Sequence, residues 1–392
     1  MTADRNQTQW SVASLAITAF AIGAAEFIVV GVLPAISLDL HVSLARAGSL
    51  IGIYAFALAI GTPITVLLTS RYDRKPLLIG LVLVFLAGNV GAALSHDIET
   101  LLVARVLTAV AHGSFFAIGA SVAARLAKPG QASRAIAMMF AGHTLAMVVG
   151  VPLGTYVGNL FGWRLPFLLI AAVAFISALA IAKWLPSVST SRPTSVASQL
   201  MTIRNPAILT MMAVTILGFG ASFAPFSFIT PILVNVAGFT TTGANLMLVV
   251  FGLATLFGNS IGGAAAARIG WFNTLKGIFA LLAVSLAAIA LFVHSSVPLA
   301  CMLFVWGGLA FGMSPACQAA MLSTAEAFTP RAIDFASSLN ISAFNLGITL
   351  GETTGGFMVA REHLSQTPLL GMVLVIGATV PLNYLAKLHT RY

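Results

Sequence analysis

Twelve apolar segments, each about as long as a bilayer is thick, follow one another along this chain. They lie at approximately 10–35, 48–69, 76–94, 101–124, 135–160, 165–185, 206–235, 243–265, 274–294, 297–323, 335–360 and 367–388. Hydrocarbon offers no partner to a free N–H or C=O, so such a segment must satisfy its backbone internally, as an α-helix of about 20 residues. Only 7% of the residues are charged, against about a quarter in soluble domains. The expected fold class is an all-α membrane protein of twelve transmembrane helices. The polar MTADRNQTQW ahead of the first span, with no cleavage pattern behind it, predicts that the first helix is retained.

The formal net charge of +9 invites a nucleic-acid reading, and its placement argues against one. With the N-terminus inside, one set of connections holds only Arg46, Arg164 and Arg361, and Arg105 sits within a span. Every other Lys and Arg falls in the opposite set, which is the positive-inside pattern and predicts two cytoplasmic termini. The basic residues are read as topology signals, with the lipid bilayer as partner and no nucleic acid. Cys301 and Cys317 lie on one predicted helix, about 24 Å apart by helical rise, too far to pair with each other.

The chain divides at its longest internal polar stretch into a six-span bundle at 1–185, a cytoplasmic linker at 186–205 and a second six-span bundle at 206–392. A single shift of 197 positions (220 − 23) superposes the halves. Gly23 then meets Gly220, Pro34 meets Pro231, Gly61 meets Gly258 and Arg71 meets Arg268. In the fifth span of each half, Gly150, Gly154 and Gly158 meet Gly347, Gly351 and Gly355. A duplicated six-helix unit is how many secondary transporters are built, with the site between the repeats. The glycine stripe admits two readings: close packing of ordinary neighbours, or a sliding surface between the halves.

AAEFIVVGVLP in span 1, LLVARVLTAVAHGSFFAIGAS in span 4 and GVPLGTYVGNLFGWR in span 5 resemble motifs of the major facilitator superfamily. More narrowly they are similar to its twelve-span drug:proton antiporters and sugar-efflux (arabinose-efflux-like) permeases. The resemblance covers essentially the whole chain and implies the major facilitator fold, two six-helix bundles working by alternating access. It also implies export of a small organic molecule against protons from a bacterial inner membrane, by a monomer that needs no cofactor, no metal and no catalytic residue. Uptake by symport or facilitation is the alternative on the same fold. Gly150, Pro152 and Gly154 fall on the family's antiporter motif. In the loop after span 2, VLLTSRYDRKP puts Ser70 where the family has its gating acid, so a gate would need Asp73 beside Arg71, Arg74 and Lys75. Those cations alternatively serve topology alone.

Glu26 is the one charge in the run from Ala16 to Ile36. A carboxylate in hydrocarbon costs about 2.5–3.5 kcal/mol on insertion scales, so it needs a partner, water or a proton. Arg105 is the candidate partner, in a pair that protonation would break during transport or that stays a static structural pair. His112 follows two turns after Arg105 on the same face, and His143 sits in span 5; each is read as a substrate or proton contact, or as a buried histidine bonded to a carbonyl. Glu352 is the second acid within a span, at the end of a polar stripe with Thr349, Asn345, Ser342 and Ser338. It is expected to handle a proton or touch substrate, and the alternative is hydrogen bonding between packed helices. Ser222 and Phe226 in the proline-broken span 7, Tyr54, Gln318 and Asn345 complete the expected substrate contacts. No GxxxxGK[ST], HExxH or GxSxG site is present, which leaves an ion gradient as energy source and argues against an enzyme.

Overall fold

The computed structural model describes residues 5–69, 72–126, 132–187, 201–330 and 333–389. Among them every regular element is helical, as the demand for internal backbone satisfaction requires. In chain order they are α1 (Arg5–Asp39), α2 (Leu44–Leu68), α3 (Arg74–Leu94), α4 (Ile98–Leu126), α5 (Ala132–Leu145), α6 (Val151–Phe161) and α7 (Arg164–Trp184). Then come α8 (Pro206–Phe226), α9 (Thr241–Ile269), α10 (Trp271–Phe292), α11 (Ser296–Phe328), α12 (Ile333–Ala360) and α13 (Thr367–His389). A π-turn, Ala146–Gly150, joins α5 to α6, and the three together make the fifth span.

Among the described residues, eleven of the spans are long and apolar enough to cross a membrane. The expected span not among them is α12, whose 28 residues are long enough at about 1.5 Å per residue. Asn340, Ser342, Asn345, Thr349 and Glu352 dilute its hydropathy. Ser342, Asn345 and Glu352 are buried, so the polar stripe does not face outward. Large apolar side chains do: Leu291 is 79% exposed and Val297 75%, and Phe175, Ile176 and Leu179 line the outside of α7. An aqueous protein would not leave so many uncovered; a bilayer is their solvent.

Proline accounts for both interruptions. Pro152 lacks the N–H that would bond one turn back, and the π-turn precedes it immediately. Pro225 lies inside α8, which stops at Phe226 because Pro231 has no N–H to bond back to Ser227; after Ile229–Pro231 a second π-turn, Ile232–Val236, closes span 7. α8 begins sharply because the Asn205 side chain accepts from the amides of Ala207 (2.9 Å) and Ile208 (3.4 Å), with Pro206 behind it. Asn205→Ala should cost about 1 kcal/mol, read as a small drop in thermal unfolding midpoint in detergent.

Contacts divide the chain into two compact units, Met1–Val42 with Ile60–Pro193, and Ser43–Ala59 with Thr194–Tyr392. The first half of α2 therefore goes with the second unit, where the polar breaks alone placed it with the first. In unit 1, α1 is central and packs on α4, α5, α6 and α7, while α3 packs on α4 and α7. In unit 2, α8 is central and packs on α11, α12 and α13, while α10 packs on α11 and α13. These are corresponding pairs under the 197-position shift, so the repeat extends from glycines to packing.

The glycine stripes serve that packing inside each unit. A side chain at Gly150 would meet Phe20 and Ala24 of α1, one at Gly154 would meet Ile28, and one at Gly158 would meet Val32. On α12, Gly347, Gly351 and Gly355 face Ile216, Gly220 and Ala224 of α8 in the same way. Gly150 and Gly154 thus face α1 within unit 1, the close packing that small residues allow, and Pro152 is buried.

Candidate functional site

Unit 1 gathers its ionisable residues at one level of α1. Glu26 is buried, 13 residues before the helix end at Asp39, or about 20 Å by helical rise. Its carboxylate Oε2 lies 3.0 Å from His143 Nε2 on α5. Gly23, three residues earlier on α1, makes room for that ring: a Cβ there would stand 2.9 Å from His143 Cδ2. Phe27 and Phe116 meet the imidazole edge-on, at 6.1 and 5.4 Å between centroids, and fix its plane. His112 of α4 stacks obliquely against Phe116 at 5.1 Å and lies 6.4 Å from His143, ring to ring. One ligand-type atom from each of Glu26, His112 and His143 falls within 4.8 Å of the others.

Arg105 enters this cluster differently from the expected side-chain pair. Its Nη1 donates to the carbonyl of Ala25 at 2.6 Å, and Nη2 to the carbonyl of Glu26 at 3.4 Å. The guanidinium thus grips the backbone of the turn that carries the acid, while the histidine takes the carboxylate. Thr108, on the same face, returns its hydroxyl to the Arg105 carbonyl at 2.8 Å, and its methyl fills the space opposite Gly88 of α3.

The chemistry of the trio follows from its donors and acceptors. With Glu26 ionised, a protonated Nε2 of His143 donates to it; with Glu26 protonated, the same nitrogen can accept. One proton can therefore sit on either group without moving either side chain, and His143 keeps 24% of its side-chain surface exposed for exchange. Two imidazoles and a carboxylate are also ligand types for a divalent transition metal, a grouping absent from the sequence expectation. The guanidinium alongside adds positive charge that a dication would have to face.

The other expected site residues are distributed as follows. Glu352 is buried in unit 2 and lines a groove with residues of α2. Asn340 donates to Gln318 Oε1 at 2.8 Å and accepts from Thr215 at 2.8 Å, so Gln318 belongs to a polar chain across α8, α11 and α12. Asn345 gives its amide to Ile341 O at 3.0 Å, and its buried Oδ1 has no hydrogen-bond partner among the described residues. The buried hydroxyls of Ser222 and Ser227 are unsatisfied in the same sense. Phe226 stacks on Phe251 at 4.6 Å and meets Trp306 at 6.2 Å, so it belongs to an aromatic core where a cavity wall was expected. Tyr54 is buried on α2.

Of the gating set, Arg71 lies outside the described residues. Asp73 is exposed at the start of α3, its side chain makes no capping hydrogen bond, and it has no ion-pair partner among the described residues. Arg74 and Lys75 are half-buried beside it. At the far end of unit 1, Asp39 accepts from Arg164 (2.6 Å) and Trp163 (3.1 Å), and Arg164 also reaches the Ser95 carbonyl at 3.0 Å. That clamp ties the ends of α1, α3 and α7. Asp97 is held below the usual carboxylate range by the Thr100 amide at 2.8 Å, at the start of α4.

His143 as the direct partner of Glu26 is the residue role that sequence reasoning missed. Its signal was the run Gly142, Ala146, Gly150, a small-residue face that must lie against some helix, and Gly23 one turn before Glu26.

Residues 15–352 match the family model described as the Major Facilitator Superfamily. The MFS-type transporter YtbD of Bacillus subtilis is 38% identical over 94% of this chain and 93% of its own length. The inner membrane transport protein YdhP of Escherichia coli K12 is 36% identical over 92% of each. Among solved structures, a bacterial homolog of the human lysosomal transporter Spinster, in its inward-facing and occupied conformation, superposes with a TM-score of 0.79. It shares 18% identity, and 98% of each chain is covered.

Proposed function

Because this chain belongs to the major facilitator superfamily of membrane transporters, we propose that it is a proton-coupled antiporter exporting a small organic molecule. Alternating access between its two bundles would carry the molecule across a bacterial inner membrane, with both termini in the cytoplasm. The observation that carries the coupling is the 3.0 Å contact between Glu26 and His143, buried at mid-helix with His112 beside it. A carboxylate so placed must keep a partner or a proton, and an imidazole in hydrogen-bond contact exchanges one for the other. Loading Glu26 from the acidic side and releasing the proton inward would drive one cycle.

Export rests on the resemblance of spans 1, 4 and 5 to efflux carriers; the positive-inside charge pattern supports the orientation. The substrate class is found first by a thermal-shift screen of drugs, sugars, nucleosides and amino-acid derivatives on purified protein. Everted vesicles with an imposed inward-acid gradient then test the direction. An exporter accumulates the hit inside them as protons leave; a symporter loses it.

A further inference from the structure

Glu352 sits in unit 2 in a setting unlike that of Glu26. Its side chain is 5% exposed, and no donor reaches its carboxylate within hydrogen-bond distance among the described residues. Three glycines cradle it. A side chain at Gly48 or Gly356 would stand 3.0 or 3.3 Å from Oε1, and one at Gly52 would collide with Oε2. The carboxylate opens into a groove of about 300 Å³ between α2 and α12, at the small end of the range for ligand pockets. Ala45, Ile53 and the half-exposed Phe56 give it apolar walls, and no lysine or arginine lines it.

Two of the three hydroxyls that line the groove have one polarity; the third belongs to the exposed Thr353. Ser49 gives its proton to the Arg46 carbonyl at 2.7 Å, and Thr349 gives its proton to the carbonyls of Gly52 (3.1 Å) or Asn345 (3.0 Å). With those protons committed, Ser49 and Thr349 present only lone pairs to the groove, beside an acid that presents only acceptors when ionised. A buried anion with acceptors around it is costly unless a donor-rich cation joins it.

We propose that this groove binds the primary ammonium group of a ligand with an apolar tail. The three N–H bonds go to Glu352, Ser49 and Thr349, and the tail lies along Ile53 and Phe56. A sodium ion would want five or six oxygens, and the apolar walls do not supply them. A quaternary ammonium has no N–H to give, so it should bind less well. The site shares no residue with the Glu26 cluster, and binding to it does not depend on the direction or coupling of transport.

The test is equilibrium binding of radiolabelled decylamine to the purified full chain in detergent. Saturable binding at one site per chain is expected, weakened about tenfold or more by Glu352→Gln, which removes a charged hydrogen bond. Thr349→Val, of equal volume, should weaken it several-fold, and decyltrimethylammonium should compete poorly. Wild-type binding by a folded Glu352→Gln protein would overturn the proposal, as would equal competition by the quaternary amine. If Glu352→Gln fails to fold, Thr349→Val and Ser49→Ala decide by the same measure. Nanodiscs then separate the natural sources of the ammonium. Loss of decylamine binding in phosphatidylethanolamine but not phosphatidylcholine assigns the site to a lipid headgroup, and equal binding in both assigns it to a free amine.

Discussion

Glu26→Gln is expected to abolish proton-driven transport while leaving a folded, inserted protein. The amide keeps the shape of the carboxyl and can still bond His143, so the packing of α1 on α5 is retained. What it loses is the ability to exchange a proton. Removing a group that transfers a proton typically costs a factor of about 10²–10⁴, and the gradient-driven rate should fall by about a hundredfold or more. Substrate exchange at equal pH on both sides needs no net proton movement, so it should survive and lose its dependence on pH. Everted vesicles measured with and without the gradient give both numbers. Gradient-driven accumulation at the wild-type rate would reduce the Glu26–His143 contact to a structural bond. His143→Ala should impair the same step, since it takes away the acceptor at 3.0 Å.

Gly258→Leu should have the largest effect on stability. α9 and α11 meet backbone to backbone: a Cβ at Gly258 would overlap the Gly308 carbonyl and stand 2.7 Å from Gly308 Cα. Four residues on, Gly262 meets Gly312 in the same way. Side chains can rotate out of a collision and a helix backbone cannot, so the two helices must separate along their length. Overpacking a fitted interior costs about 1–3 kcal/mol where side chains can adjust, and here the cost should reach or exceed the upper end. The variant should lose its monodisperse peak in detergent or melt well below wild type. Gly277→Leu, on α10 of the same unit, has nothing within 4 Å of its Cβ and should melt as wild type. A normal Gly258→Leu protein would mean that α9 and α11 do not approach so closely in the bilayer.

The spans and the family were legible because hydrocarbon leaves the backbone one solution, and run length and apolarity report it directly. The duplication was legible for a related reason, since glycines at fixed spacing mark where helices touch and both units reuse that contact. Partner choice inside the cluster was not. Arg105 was the obvious counter-charge for Glu26, yet it donates to the carbonyls of Ala25 and Glu26, and the carboxylate goes to a histidine from another span. Charge and depth rank candidate pairs, but the angle at which each helix presents its face decides among them. Phe226 shows the same limit: a phenylalanine near a broken helix reads as a cavity wall until Phe251 and Trp306 are seen against it. The polarity of the Glu352 groove was hidden for another reason, because it depends on which carbonyls take the Ser49 and Thr349 protons.

The π-turn in span 5 sets an angle. From Gly142 to Gly158 is sixteen residues, and at about 100° per residue an unbroken α-helix would carry such a stripe about 160° around its axis. The one extra residue absorbed at Ala146–Gly150 brings that drift down to about 60°. This lets His143 on one side of the turn and Gly154 on the other both look toward α1. The same segment, wound at full length as an unbroken α-helix, would be just as apolar and would thread the bilayer just as well. Its imidazole and its glycine face would point in directions about 100° further apart, and the acid on α1 would lose one or the other.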